Sequence, residues 1–253
     1  MPESRNSFFA IISDIHANID ALTSVLADIE QFPVRGIFCL GDIVGYGPES
    51  ARCVQRVMDT CAITVLGNHE SMLFLGEKIA DQDWDISIKK PLQLASEQLT
   101  AAQKAWLHAR PLTADVDPVT LSHTSLQEPH NFHYILDIEE AKAHFAAQTT
   151  FISFNGHTHV PLICEENSKS HICRFLEPSG NPIRLAPEKR YMVNVGSVGQ
   201  PRDDDPRASY VLYDFKQRLL IHRRVNYDIA RAQGRFFKVG LPMRNASRLS
   251  KGE

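Results

Sequence analysis

"FFAIISDIHANIDALTSVLADI", residues 8–29, decides how the rest of the chain is read. Its opening, residues 8–13, is a short apolar run of the kind that forms a buried strand. Ile19, Leu22, Val25, Leu26 and Ile29 then recur at helical spacing, and Asn18 stands where a helix N-cap belongs. The pattern repeats. "GIFCL" (36–40) reads as a second strand, the region of Val54, Val57 and Met58 as a second helix, and "AITVL" (62–66) as a third strand. Strands alternating with helices imply right-handed crossovers, a parallel sheet and an α/β fold.

Residues 70–110 read as helical, with Thr100 capping "AAQKAWLHA". "VTLSH" (119–123) and "TFISFN" (150–155) return to strand, with the short helix "IEEAKAHFAAQ" (138–148) between them. Beyond residue 160 the texture changes to short β segments: "PLICEE", "HICRFL", "YMVNVG", "SYVLYDF" and "RLLIHRRV". These predict a second, largely antiparallel sheet. "VNYDIARAQGRFFKV" predicts one further short helix. Residues 1–241 are expected to form a single domain and the polar residues 242–253 a frayed tail.

At 253 residues, 43% hydrophobic and 23% charged, the chain has the balance of a globular protein with a sizeable core. A net charge of −3 does not advertise a polyanionic partner, so duplex nucleic acid is not expected. No apolar run is long enough for a membrane span, and "MPESRNSFFAIIS" lacks the apolar segment of a cleavable leader. The five cysteines are scattered, without a CxxC spacing, and read as reduced thiols; the expected location is cytoplasmic.

The polar residues carry the functional signal. After the first strand come Asp14 and His16; after the second, Asp42; after the third, Asn68 and His69; later strands end at His123 and at "GHTH" with His157 and His159. Taken singly each has an ordinary reading as a turn, cap or surface residue. Five successive strand ends, each handing a carboxylate, amide or imidazole to the following loop, are a different matter. In open α/β sheets that edge is where ligands bind. The donor set contains no thiolate, which suits Mn, Fe, Zn, Co or Ni in a catalytic setting. Seven donors are too many for one catalytic ion and enough for two that share a carboxylate, with His157 and His159 serving different ions.

The blocks Asp14-Ile15-His16, Gly41-Asp42, Gly67-Asn68-His69-Glu70, His123 and Gly156-His157-Thr158-His159 resemble the calcineurin-like metallophosphoesterase superfamily, in its order and spacing, over roughly residues 8–225. "GDIVGYGP" and "NVGSVGQPRDDDPRASYVLYD" resemble its small YfcE-type phosphodiesterase branch. The resemblance implies a four-layer α/β/β/α sandwich of two mixed sheets with helices outside. It also implies a dinuclear centre, with Mn the expected metal. Asp14, His16, Asp42 and His159 would hold one ion; Asp42, Asn68, His123 and His157 the other. His69 would be the catalytic histidine near the leaving group. The implied activity is hydrolysis of a small phosphate ester, a phosphodiester first, by a hydroxide shared between the ions. The alternatives are a phosphomonoesterase or protein phosphatase, and a non-catalytic scaffold on the same fold.

Two departures matter. The family commonly has glycine after the first histidine, where this chain has Ala17, a change without cost only if the backbone there has negative φ. The superfamily's protein serine/threonine phosphatases follow the second-block aspartate with an Asp-Arg pair that grips phosphate; here those places are Gly45 and Tyr46. Arg202 and Arg207 are the candidates for positive charge at the site, with Asn18 a further candidate substrate contact and a solvated charged turn the alternative for "QPRDDDPR".

Overall fold

The computed structural model describes residues 8–253. The leader reading of residues 1–7 lies outside them. The crossover pattern read from the sequence is present: β1 (Phe8–Ile12), α1 (Ile19–Ile29), β2 (Val34–Cys39), α2 (Ser50–Thr60) and β3 (Cys61–Thr64). Asn18 caps α1, its Oδ1 accepting from the Ala21 N–H. The helix buries Leu22, Val25, Leu26 and Ile29. Each such side chain contributes about 1.5–3 kcal/mol on leaving water.

The helical stretch divides into α3 (Asn68–Leu73), α4 (Ile86–Gln98) and α5 (Ala101–His108), the last opened by a capping box between Thr100 and Gln103. β4 (Thr113–Val116), β5 (Val119–Ser122), α6 (Ile138–Ala147) and β6 (Ile152–Asn155) follow, then β7 (Leu162–Asn167), β8 (Cys173–Leu176), β9 (Ile183–Arg184), β10 (Lys189–Asn194), β11 (Ala208–Asp214) and β12 (Leu219–Val225). α7 (Ile229–Lys238) and α8 (Met243–Leu249) complete the order.

The strands form two six-stranded sheets, β3-β2-β1-β11-β12-β9 and β4-β5-β6-β10-β7-β8. Both are mixed. The first is parallel across β3, β2 and β1 and antiparallel beyond; the second is parallel across β5, β6 and β10. This corrects one expectation: the β segments after residue 160 do not build a separate sheet but are dealt to both. Period-two alternation shows which face a residue takes, not which sheet receives the strand.

The alternation explains the layering. Ile11, Phe38, Val211 and Tyr213 meet Leu121, Phe154 and Val193 between the sheets. Ala10, Ile12 and Tyr210 point the other way, against α1 and α2. On the far side Cys164 and Met192 pack on Ala141 and Phe145 of α6. The result is helices, sheet, sheet, helix, as the resemblance implied. Trp84 and Trp106 pack against the helix-side core.

Residues 242–253 depart from the expected frayed tail. α8 buries Ala246 and Leu249 against Ala232 and Phe236 of α7, and its Asn245 is 1% exposed. A polar sequence conceals that burial: the buried Asn245 donates through Nδ2 to the backbone carbonyls of Tyr46 and Ser87, while its Oδ1 has no partner. No helix among the described residues is long and apolar enough to cross a membrane.

Candidate metal centre

Parallel strands in both sheets bring their carboxyl ends to one edge, and the loops that leave them converge. Asp14, His16, Asp42, Asn68, His69, His123, His157 and His159 are all buried there. Three groups have donor atoms within 4.8 Å of one another: Asp14, His16 and His159; His16, Asp42 and His69; Asp42, His123 and His157.

Each carboxylate is held at one oxygen and free at the other. The His157 N–H donates to Asp14 Oδ2, and Oδ1 lies 3.2 Å from His159 Nε2. The His69 N–H donates to Asp42 Oδ1, and Oδ2 lies 3.6 Å from His16 Nε2 and 3.4 Å from His123 Nε2. Asp42 thus stands between the two clusters. Asn68 Oδ1 lies 3.1 Å from His123 Nε2.

Backbone carbonyls turn the imidazoles. Nδ1 of His16 lies 3.1 Å from the Val44 carbonyl, that of His123 2.8 Å from Leu40, and that of His159 2.6 Å from Gln200. A carbonyl only accepts, so in each ring Nδ1 carries the hydrogen, and in the neutral ring Nε2 presents a lone pair to the cluster, the tautomer a metal ligand requires. Asp14 Oδ1 and His157 Nε2 are buried without a hydrogen-bond partner. Paired lone pairs and orphaned buried acceptors have one common remedy, a cation. The donor set fits divalent metal.

The electrostatics agree. Burial opposes ionisation of Asp14, but the facing His159 holds its carboxyl well below the usual range. Burial likewise opposes ionisation of Asp42, and His123 and His69 hold it low. Burial pushes His69 and His159 down to about 3 and His157 down to about 4. His123 is the exception: against burial, the Asp42 carboxylate carries it up to about 9.

Left-handed backbone concentrates at this edge: Asp14 (φ 52°), His16 (46°), Ala17 (53°), Asp42 (50°), Tyr46 (49°), His157 (69°) and His159 (62°). Such residues cost about 1–3 kcal/mol each and persist where surrounding structure over-determines them. Ala17 therefore carries the strain that glycine would avoid. Gly156 is needed for another reason: a Cβ there would stand 2.2 Å from Asp14 Oδ2 and Ser13 Oγ.

Sequence reasoning left Glu70 without a role. Its carboxylate accepts from the N–H groups of Asp42, Ile43, Val44 and Gly67, at 2.8, 2.8, 3.1 and 3.0 Å, and so ties the second loop to the third. Burial and the Asp42 charge push its carboxyl up to about 7, against the pull of those donors. A lone glutamate after Asn-His carries no signal of such a role.

The two expected substrate contacts fare differently. Asn18 is spent on structure, with Oδ1 on the α1 cap and Nδ2 donating to the Gly199 carbonyl. That corrects its assignment, because both ends of a buried amide are already engaged. Arg202 is at the rim, its guanidinium 5.5 Å over the Tyr46 ring, which lies 4.7 Å from the rings of both His16 and His69. Tyr134 stacks on His157 at 4.1 Å and is half-exposed.

Comparison with known proteins adds independent findings. The family profile for the calcineurin-like phosphoesterase superfamily domain matches residues 8–218. An uncharacterized protein of Methanocaldococcus jannaschii is 33% identical over 251 residues, covering 97% of this chain and 98% of its own. The crystal structure of a metallophosphoesterase from Sphaerobacter thermophilus superposes with a TM-score of 0.86 at 35% identity, covering 98% of this chain and 99% of that one. A hypothetical protein from Pyrococcus horikoshii OT3 shares the fold, with a TM-score of 0.78 at 18% identity over 97% of this chain and 98% of its own.

Proposed function

Because this chain belongs to the calcineurin-like phosphoesterase superfamily, we propose that it hydrolyses a small phosphate ester, a phosphodiester by preference, with two divalent cations. The observation that carries this reading is the place of Asp42, its free oxygen between His16 and His123 while its other oxygen receives the His69 N–H. Asp14, His16, Asp42 and His159 would hold one ion, and Asp42, Asn68, His123 and His157 the other. A nitrogen and oxygen donor set without thiolate is compatible with Mn, Fe, Zn, Ni and Co, and manganese is the metal we expect. When bound, the ions supply Lewis acidity that makes water acidic near neutral pH and offsets charge on phosphoryl oxygens.

The chain's own groups do the positioning. The Asp42–His69 bond fixes a ligand and the proton donor as one unit. His69 rests neutral in its buried place. An anionic phosphate arriving beside it opposes the cost of charging it, and the imidazolium then gives its proton to the leaving alkoxide. Diester preference is supported by Tyr46, which puts an aromatic ring beside His69 where a phosphate-gripping arginine would favour phosphoprotein.

The test is metal analysis of purified protein, then turnover of bis-p-nitrophenyl phosphate, p-nitrophenyl phosphate and a phosphopeptide with Mn²⁺ added. Asp42→Asn should lose metal and turnover together. His69→Ala should keep its metal and slow by about 10²- to 10⁴-fold. Wild-type protein that binds no divalent metal and cleaves none of the three esters would overturn the reading. A strong phosphopeptide preference would reverse the diester assignment.

A further inference from the structure

We propose that Arg202 and Arg248 form a second anion subsite beside the metal centre, which takes a second phosphate carried by the ester. The inference rests on the hydrolytic reading above and extends it to substrate class.

The geometry starts from Tyr46. One face of the site is closed by its ring, in contact with His16 and His69. Arg202 lies over that same ring, and its backbone N–H donates to the His159 carbonyl at 3.3 Å. α8 reaches the same residue from the other side of the chain: Asn245, fully buried, donates through Nδ2 to the Tyr46 carbonyl at 3.0 Å. Arg248 follows three residues later, on the same helical face. The end of α8 is then locked to the loop that carries Arg202. The Asp204 N–H donates to the Gly252 carbonyl at 3.0 Å, and a Cβ on Gly252 would stand 2.6 Å from Asp205 N.

Charge pairing sets these two arginines apart. Arg207 is paired with Asp205 and Arg224 with Asp203 in the same region. Among the described residues no carboxylate pairs with the guanidinium of Arg202 or Arg248. Arg202 Nη2 donates to Gln200 Oε1, while its Nε is buried without a partner. Glu253, the carboxylate that Arg248 feels, is engaged with Lys251 at 3.4 Å. Partial burial and the neighbouring charge of Arg202 press Arg248 below its ordinary basicity, as expected for like charges. A phosphate relieves that repulsion, and the guanidinium fork matches its geometry. Arg202 lies over the Tyr46 ring, which contacts His16 and His69, so a phosphate held there stands beside the metal centre.

The probes are thymidine dinucleotides joined by a methylphosphonate, which resists hydrolysis, with and without a phosphate on the 5′ end. Calorimetric titration into the Mn²⁺-loaded protein should give affinity roughly ten- to a hundredfold higher for the phosphorylated probe. The advantage should vanish in Arg248→Gln and in Arg202→Gln and survive in part in Arg248→Lys, with metal content unchanged. Equal affinity for the two probes, no binding of either, or an advantage retained in both glutamine variants overturns the subsite. Natural phosphodiester dinucleotides then separate the two readings. If the affinity difference is present but neither dinucleotide nor bis-p-nitrophenyl phosphate is cleaved, the hydrolytic reading falls and the subsite stands.

Discussion

The Nε2 atoms of His16 and His159 stand 3.0 Å apart, and each ring is turned by a backbone carbonyl at its Nδ1. Two lone pairs therefore face each other in a buried place, with Asp14 Oδ1 3.2 Å from one and 3.8 Å from the other. Adding Mn²⁺ to chelator-treated protein should raise the thermal midpoint. At a hundred times Kd the gain is about 2.7 kcal/mol. His159→Gln should lose most of that shift. A wild-type midpoint unmoved by any first-row divalent ion would contradict the cation assignment.

Gly45 sits at φ 85°, and a Cβ there would lie 2.1 Å from His69 Nδ1. Gly45→Ala must push the imidazole from its place or shift the loop. Turnover should fall at least tenfold while metal content is kept, because none of the proposed ligands belongs to the 45–46 turn. Unchanged kcat would mean that the exact placement of His69 is unimportant.

Glu70 joins two loops through four backbone donors. Glu70→Gln turns an amide N–H toward one or more of those donors and removes the charge the others bind. A loss of about 3 kcal/mol is expected, read as a shift of the urea midpoint. Metal affinity should fall with it, since Asp42 is carried by the same loop. A variant as stable as wild type would show that packing alone holds the loops.

His144 offers a pH prediction away from the metal centre. Its Nδ1 accepts from the Leu126 N–H at 3.1 Å and its Nε2 donates to Ser153 Oγ at 2.7 Å, so the neutral ring is fully satisfied. Burial lowers it to about 3 from an ordinary 6.5. Between those values the unfolded chain binds a proton the folded one refuses, so stability is full above about pH 6.5 and is lost as pH falls toward 3. At pH 5 the loss from this one group is about 2 kcal/mol. Unfolding at pH 7 and pH 5 should show a smaller difference in His144→Gln than in wild type; an equal difference would refute the assignment.

Much of the molecule is written locally. The β1–α1 unit is legible because a strand buried on both faces and an amphipathic helix each leave a short-range periodicity, and Asn18 marks the boundary between them. The strand-end residues from Asp14 to His159 were legible for the same reason: parallel strands put all their carboxyl ends on one edge, so residue type and position predict convergence without coordinates. What local pattern does not carry is the choice of partner. β11 and β12 extend the first sheet, while β7 and β10 join the second, although all four are short β-type runs in the sequence. Ala17 gives no hint of its positive φ, which is imposed by hydrogen bonds to Ile43 and Glu49.

The sequence by itself determined the element types, the edge where the donors gather and the chemistry of those donors, because periodicity and side-chain identity are properties of neighbouring residues. Only the tertiary structure decided that Glu70 braces two loops and that α8 docks on the Tyr46 carbonyl through Asn245. Those outcomes depend on contacts between residues far apart in the chain, 199 positions for Asn245 and Tyr46. Their stability comes from desolvated hydrogen bonds that exist only once the layers have packed.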